Sequence, residues 1–292
     1  MVMPMQIYVA GAGLMGSGIA QTAVACGMDV TLREIEEALA ARGVEGIRRR
    51  LESQVQKGKL VAADRDAALE RLHPTTSLEA AGRADFVVEA ITESFEAKRD
   101  LFKRLDGVCR PQTILASNTS SIPITRMAAV TQRPDRFIGM HFFNPVPVMP
   151  LVEITRGRDT SDATVAAALS LGKAMGKTPI TSLDYPGFIV NRMLVPFINE
   201  AIRALMEGLG TREDIDQGAR LGLHHPMGPL ELADFVGLDT HVHICDVLYE
   251  GLHDPKFAAP PLLRQLVEAG HHGRKTGRGF YRYGPDGSRI SD

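Results

Sequence analysis

Cysteine is scarce in this chain of 292 residues: Cys26, Cys109 and Cys245 lie far apart, with no Cys-x-x-Cys spacing. That excludes a disulfide framework and a zinc ribbon, and it suits a reducing cytoplasm. Charge of one sign is lacking too. The formal net charge of -2 leaves little basis for a general grip on nucleic acid or on a membrane surface. No apolar run approaches the roughly 20 residues that span a bilayer, and Met1–Tyr8 lack the basic and apolar segments of a signal peptide. Repeats and low-complexity tracts are missing. The histidines of His224-His225, His241-x-His243 and His271-His272 lack the i,i+4 spacing or accompanying acids of a metal site, so no metal is expected. A hydrophobic share of 44% with 23% charged residues rules out disordered and fibrous classes. The expectation is a soluble cytoplasmic protein of one large or two modest domains.

Short β-branched runs alternate with longer helical patterns through the first two-thirds, the mark of a parallel sheet wound with helices. Candidate strands are Gln6–Ala10, Asp29–Arg33, Phe86–Val88, Thr113–Ala116, Phe137–Met140 and Leu151–Thr155. A polar excursion over Val44–Arg71 reads as two charged helices broken at Lys57-Gly58-Lys59. After Asp184-Tyr185-Pro186-Gly187 the pattern turns helical, with candidate helices over Phe188–Met206, Arg212–Leu221 and Leu238–Tyr249. The fold expected is an α/β Rossmann-type N-terminal domain, mostly parallel sheet with a helical excursion, over residues 1–186. An all-α C-terminal domain follows over 187–292.

The first strand runs into Gly11-Ala12-Gly13-Leu14-Met15-Gly16, then a helical stretch Ser17–Cys26 and the second strand. A lone G-x-G-x-x-G is weak, but here an acid, Glu34, closes the second strand. In that setting the glycines permit the tight turn, the approach of a pyrophosphate and close helix–strand packing, while Glu34 meets the adenosine ribose hydroxyls. The glutamate's charge opposes a 2′-phosphate, so NAD is favoured over NADP. Arg33 beside it leaves some NADP use open.

Ligands of open parallel sheets gather beyond the carboxyl ends of the strands. Following each strand there gives Glu89-Ala90-Ile91-Thr92-Glu93 with Lys98, then Ser117-Asn118-Thr119-Ser120-Ser121, then His141-Phe142-Phe143-Asn144-Pro145. Glu153 interrupts the apolar run Leu151–Thr155 and wants a partner, His141 being the obvious one. An edge-strand glutamate facing water is the alternative. Asn191 shares a helical stripe with Phe188, Val195, Ile198 and Ile202, so its amide either caps a buried carbonyl or meets a ligand.

The segments Gly11–Gly18, Ala116–Ser121, His141–Met149, Pro186–Arg192, His225–Pro229 and Gly273–Tyr281 together closely resemble the L-3-hydroxyacyl-CoA dehydrogenase family over nearly the whole chain. The single-chain bacterial 3-hydroxybutyryl-CoA type is nearest in length. The resemblance implies a catalytic His141–Glu153 pair, with Ser120 and Asn191 contacting the reacting oxygen. It implies that Glu34, Glu93, Lys98, Asn118 and Ser120 touch NAD. It also implies an acyl-CoA substrate with the L (S) alcohol, and a homodimer formed largely by the helical part. Arg50 and Lys57, two turns apart on one helical face, read on their own as a solvated charged face; the family places a lysine near coenzyme A at Lys57. Pro150 departs from the lysine or other non-proline residue common in relatives.

Rival readings are few. Ser120, His141 and Glu153 lack the G-x-S-x-G elbow of a hydrolase. Gly273-Arg274-Lys275-Thr276-Gly277 does not match a phosphate loop and reads as a turn. A dehydrogenase of a free hydroxy or sugar acid, or a catalytically idle NAD-binding protein, shares the fingerprint.

Overall fold

A computed structural model describes residues 5–290; of the N-terminal stretch read for a leader, residues 1–4 lie outside the described residues. The chain divides into two compact units, Met1–Tyr185 and Pro186–Asp292.

The first unit runs β1 (Gln6–Ala10), α1 (Leu14–Ala25), β2 (Asp29–Arg33), α2 (Glu37–Gln56), α3 (Ala62–Glu70), β3 (Leu72–Thr75), β4 (Phe86–Glu89) and α4 (Phe95–Val108). It continues with β5 (Ile114–Ser117), α5 (Ile124–Ala128), β6 (Phe137–Phe142), β7 (Leu151–Arg156), α6 (Asp162–Ala174) and β8 (Thr178–Leu183). The strands form one sheet in the order β3-β2-β1-β4-β5-β6-β7-β8. Strands β1 to β6 are parallel, β7 turns antiparallel to β6, and β8 follows β7 in parallel. Every residue of β4, β5 and β6 is buried, as strands covered on both faces require. Chain order reverses between β1 and β4, which opens a crevice at the carboxyl ends of these strands.

Several boundaries differ from the sequence reading. Strands β3 and β8 went unread because each is an outermost strand carrying a proline, Pro74 or Pro179, which an edge tolerates and a pattern search rejects. Strand β5 starts one residue later than expected, at Ile114, and β6 extends to Phe142, so His141 lies within the strand and not beyond it. Helix α1 starts at Leu14, inside the glycine-rich segment. In the polar excursion α2 buries Ala40, Gly43, Ile47 and Leu51, one face at helical spacing, and gives way at Lys57 to the turn before α3. Asp184, at the end of this unit, accepts the backbone N–H groups of Ile124 and Thr125 at 2.8 and 2.7 Å, closing the start of α5.

The second unit is helical: α7 (Val190–Met206), α8 (Arg212–Gly222), α9 (Pro229–Val236), α10 (Leu238–Leu252) and α11 (Pro261–Glu268). One addition to the all-helical expectation is a two-stranded ribbon, β9 (Arg282–Tyr283) with β10 (Arg289–Ile290). Helix α7 begins two residues later than the pattern suggested, because Gly187 and Phe188 both take positive φ, +75° and +50°. Helices α9 and α11 have eight residues each, too short for periodicity to reveal, and each starts on a proline suited to the first helical position. Thr211 caps α8 by accepting the Asp214 N–H at 3.1 Å. Asp234 accepts the N–H groups of Phe280 and Tyr281 and the Tyr283 hydroxyl, all at 2.9 Å. A Cβ on Gly273 would stand 2.3 Å from the Asp234 carbonyl oxygen, so Gly273–Gly277 is a structural turn pressed onto α9.

His241 in α10 is fully buried; its Nε2 donates to Asn199 Oδ1 at 3.1 Å, and its Nδ1 has no partner among the described residues. Charging the ring would add a buried donor with nothing to receive it, and burial pushes its pKa down to about 4. The unfolded chain takes up this proton near pH 6.5, before the folded one does, so stability falls as pH drops from there towards 4. The loss is on the order of 3 kcal/mol. His241→Gln should therefore be less stable than the parent at pH 7, by a margin that shrinks towards pH 4.5 in denaturant titrations. A margin independent of pH would refute the account.

Candidate functional site

The turn after β1 makes a different demand on each glycine. Gly11 lies against the end of β4, where a Cβ would sit 2.5 Å from the Ala90 carbonyl oxygen. At Gly16 a Cβ would stand 1.8 Å from the Gly11 carbonyl oxygen. Gly13 differs: nothing lies within 4 Å of where its Cβ would be, and it caps α1 without a side chain. The first-turn N–H groups of Leu14, Met15 and Gly16 have no acceptor within the helix, which makes this end a seat for a pyrophosphate. Beside it Glu34 is already oriented. Its Oε1 accepts the Ala12 N–H and its Oε2 the Ile35 N–H, both at 2.9 Å, leaving lone pairs for a ribose diol. The Arg33 guanidinium leans towards the Thr76 carbonyl at 3.5 Å. Open space at Gly13, enforced closeness at Gly11 and Gly16, and a fixed acid at β2 fit a dinucleotide.

Register places His141 of β6 opposite Glu153 of β7, and the side chains meet with Nδ1 and Oε2 2.8 Å apart. Glu153 is 0% exposed and His141 8%. With the Nδ1 proton donated to the carboxylate, the neutral ring presents Nε2 as its acceptor atom. The Phe143 ring tilts against the imidazole at a centroid distance of 4.5 Å. Behind this hairpin the buried Lys177 ammonium donates to the carbonyls of Val146 and Met149, at 2.5 and 2.9 Å, and so fixes the β6–β7 connection. No sequence cue marked Lys177. Pro150 falls just before β7, where its carbonyl accepts the Thr178 N–H at 2.7 Å and its missing N–H disturbs no rung of the ladder.

Asn118 and Ser120 follow β5. The Asn118 Oδ1 accepts the Phe142 N–H at 2.9 Å, locking the end of β5 to the residue after His141. Ser120 gives its backbone N–H to Glu93 Oε1 at 3.2 Å, while its hydroxyl has no partner among the described residues. Glu93 also accepts from the hydroxyls of Thr119 and Ser121 and stands 3.1 Å from the Lys98 ammonium. Burial pushes the Glu93 carboxyl up, but Lys98 and these hydroxyls more than offset that and hold it below its ordinary value. Lys98 itself is 1% exposed and is held at 2.5 Å by Glu89. It thus stands behind Glu93, not at the surface. The sequence signal for Glu89 is the one that marks Glu34, an acid closing an apolar strand, here Phe86-Val87-Val88.

The remaining candidates lie on other elements. Asn191 is in the first turn of α7 in the second unit; it is buried, and its amide has no hydrogen-bond partner among the described residues. Lys57 is exposed at the end of α2. Arg50 turns inward, donating to Gln21 Oε1 at 2.6 Å and Ser17 Oγ at 3.2 Å on α1, so the two cations do not share one open face. Among the described residues no group of three or more His, Cys, Asp or Glu is placed to hold a metal ion, and no helix is long and apolar enough to cross a membrane.

Comparison with known proteins accords with this geometry. Residues 6–185 match the family model described as 3-hydroxyacyl-CoA dehydrogenase, NAD binding domain, and residues 187–283 match its C-terminal domain. A probable 3-hydroxybutyryl-CoA dehydrogenase of Bacillus subtilis is 51% identical over 278 residues, covering 95% of this chain and 97% of the relative. The human mitochondrial hydroxyacyl-coenzyme A dehydrogenase is 45% identical, with 95% and 90% covered. The solved structure of an (S)-3-hydroxybutyryl-CoA dehydrogenase from Ralstonia eutropha superposes with a TM-score of 0.94 at 49% identity, with 97% of this chain and 100% of that one covered.

The glycine loop yields a direct test. Gly16→Ala forces a methyl into the Gly11 carbonyl and should weaken NADH binding at least tenfold, roughly the loss of one well-made contact or more. Fluorescence titration measures it, and binding within twofold of the parent would contradict the packing described.

Proposed function

The chain belongs to the 3-hydroxyacyl-CoA dehydrogenase family, and from that premise we propose that it interconverts (S)-3-hydroxyacyl-CoA and 3-oxoacyl-CoA with NAD, short acyl chains such as 3-hydroxybutyryl being favoured. The observation that carries this reading is the buried His141–Glu153 pair at 2.8 Å, on interior strands of the same sheet that bears the glycine loop. Bound NAD+ supplies the hydride acceptor. In the oxidative direction His141 accepts the 3-hydroxyl proton at Nε2. Glu153 keeps the other ring proton on Nδ1 and stabilises the imidazolium that forms. Ser120 offers a hydroxyl, and Asn191 an amide without a competing partner, to orient the reacting oxygen. Glu34 receives the adenosine ribose, and its charge disfavours a 2′-phosphate. Asn118 and Glu93 shape the nicotinamide side, with Lys98 acting through Glu93.

Lys57 is the proposed contact for the coenzyme A phosphates, being exposed and without a partner among the described residues, whereas Arg50 serves to hold α2 on α1. A homodimer formed through the helical unit would cover Met206, Leu209, Leu221 and Leu223, all exposed large apolar side chains. The cysteines are all free, in keeping with a reducing cytoplasm as the place of action.

Following NADH absorbance with acetoacetyl-CoA, beside free acetoacetate and NADPH, tests the activity. Turnover only with the CoA ester and NADH is expected. Equal turnover of free acetoacetate would favour a hydroxy-acid dehydrogenase, and bound NADH without turnover an idle binder. His141→Ala should lose roughly 10²–10⁴-fold in kcat while still binding NADH. Glu153→Gln should also lose turnover heavily, since its amide donates towards Nδ1 and imposes the wrong tautomer. Near-parental kcat in either variant would remove the pair from the mechanism. Lys57→Ala should raise KM for acetoacetyl-CoA by up to about fivefold, the range of an exposed ion pair, and leave NADH affinity alone. Equal changes in both constants would argue against the contact.

A further inference from the structure

Glu89 has no part in the chemistry derived above, yet it is an acid with 0% exposure at the carboxyl end of β4. It pairs in register with Ala10 on one side and Ser117 on the other, and the next residue, Ala90, lies against Gly11. Both of its oxygens receive donors. Oε1 takes the Ile91 N–H at 2.8 Å and the Lys98 ammonium at 2.5 Å, and Oε2 takes the Ser117 hydroxyl at 2.5 Å. Because Ser117 Oγ accepts the Thr119 N–H at 3.2 Å, its own proton is left for Glu89. Such a donor set suits an ionised carboxylate. Burial pushes the Glu89 carboxyl up, and Lys98, Ser117 and Ile91 offset that only in part, so it stays above its ordinary value; the ammonium and the two further donors on its oxygens are what mark it as the anionic partner of Lys98. Lys98 is shared with Glu93, which in turn receives the Ser120 N–H. Two carboxylates around one ammonium leave a charge of minus one, in a network buried at Glu89 and Lys98 and open to solvent at Glu93.

We propose that this Glu89–Lys98–Glu93 cluster sets the affinity of the chain for NAD+ relative to NADH, an inference that rests on the NAD-dependent activity proposed above. The pyrophosphate seat at α1 and the ribose acceptor Glu34 at β2 assign the adenosine half to the β1–β2 side. The redox-active ring is then left to the side of β4, β5 and β6, where the cluster stands. NAD+ and NADH differ by one positive charge, and that charge is on the ring. A negative charge in a partly buried setting stabilises the oxidised form over the reduced one. Glu89 acts by its field and by holding Lys98, as a positioning residue.

The test is equilibrium binding to the whole protein without acyl-CoA, NADH by fluorescence and NAD+ by competition, at one pH. Glu89→Gln keeps the shape and removes the charge; Kd for NAD+ divided by Kd for NADH should rise about three- to tenfold. Ser117→Ala removes a hydrogen bond to Glu89 without changing charge, and should leave that ratio within twofold even if both affinities fall. Should the buried substitution fail to give folded protein, Glu93→Gln takes one charge from the same cluster and should move the ratio in the same direction. An unchanged ratio in whichever glutamine variant folds would overturn the inference, and so would a Ser117→Ala shift as large as theirs. Wild type that binds neither NAD+ nor NADH would instead sink the NAD reading itself.

Discussion

Glu153 sits 0% exposed in the interior of β7, where an ionised carboxylate costs several kcal/mol unless it is paired. The only strand pairing that sets a histidine directly across from it is the antiparallel one with β6. The reversal of direction at β7, which sets it antiparallel to β6 where every neighbouring pair but this one is parallel, is therefore the feature that assembles the His141–Glu153 pair. Opposed residues on antiparallel strands bring their Cβ atoms to about 4.5–5.5 Å, the reach an imidazole and a carboxylate need for a 2.8 Å contact. Lys177 and Asn118 then hold the two flanks of His141, one through the following turn and one through the Phe142 N–H. Held in this way, the histidine proposed as the base would need little reorganisation to accept a proton, which is how preorganised sites gain rate.

The same rule, that buried charge must be partnered, governs the neighbouring strands. Glu89 and Glu93 bring two acids to the ends of β4 and its following turn, and Lys98 answers both from α4. The hydroxyls of Ser117, Thr119 and Ser121 supply the remaining donors. This explains why a run of small polar residues follows β5: each is engaged except the Ser120 hydroxyl and the Asn118 amide nitrogen, which among the described residues have no partner. The unengaged groups are those the mechanism assigns to substrate and cofactor.

Legibility in the sequence followed the strength of local constraint. The glycine loop, Glu34 and the β1–α1–β2 unit were readable because sterics at Gly11 and Gly16 tolerate no other residue, so the requirement is written in the sequence itself. His141–Glu153 was readable because a charge inside an apolar run is anomalous. Strands β3 and β8 were not, since at a sheet edge the sequence is free to hold Pro74 and Pro179. Helices α9 and α11 were too short to show a period. Lys98 and Arg50 were noticed for their charge, but their partners, Glu89 in one case and Ser17 with Gln21 in the other, lie on different elements and are set by tertiary packing alone.

The contrast between Arg50 and Lys57 shows how one helix separates a packed charge from an exposed one. Both are cations on or just past α2, seven positions apart, and a helical wheel treats them alike. Arg50 falls where α2 crosses α1, and its planar guanidinium satisfies Gln21 and Ser17 together. Lys57 falls at the helix end, past the crossing, where an ammonium keeps its hydration and its freedom. An anion as large and mobile as the phosphorylated end of coenzyme A is better met by a cation that costs nothing to unpair. The helical excursion thus spends one of its charges on its own docking and keeps the other exposed, where the proposed ligand contact would need it.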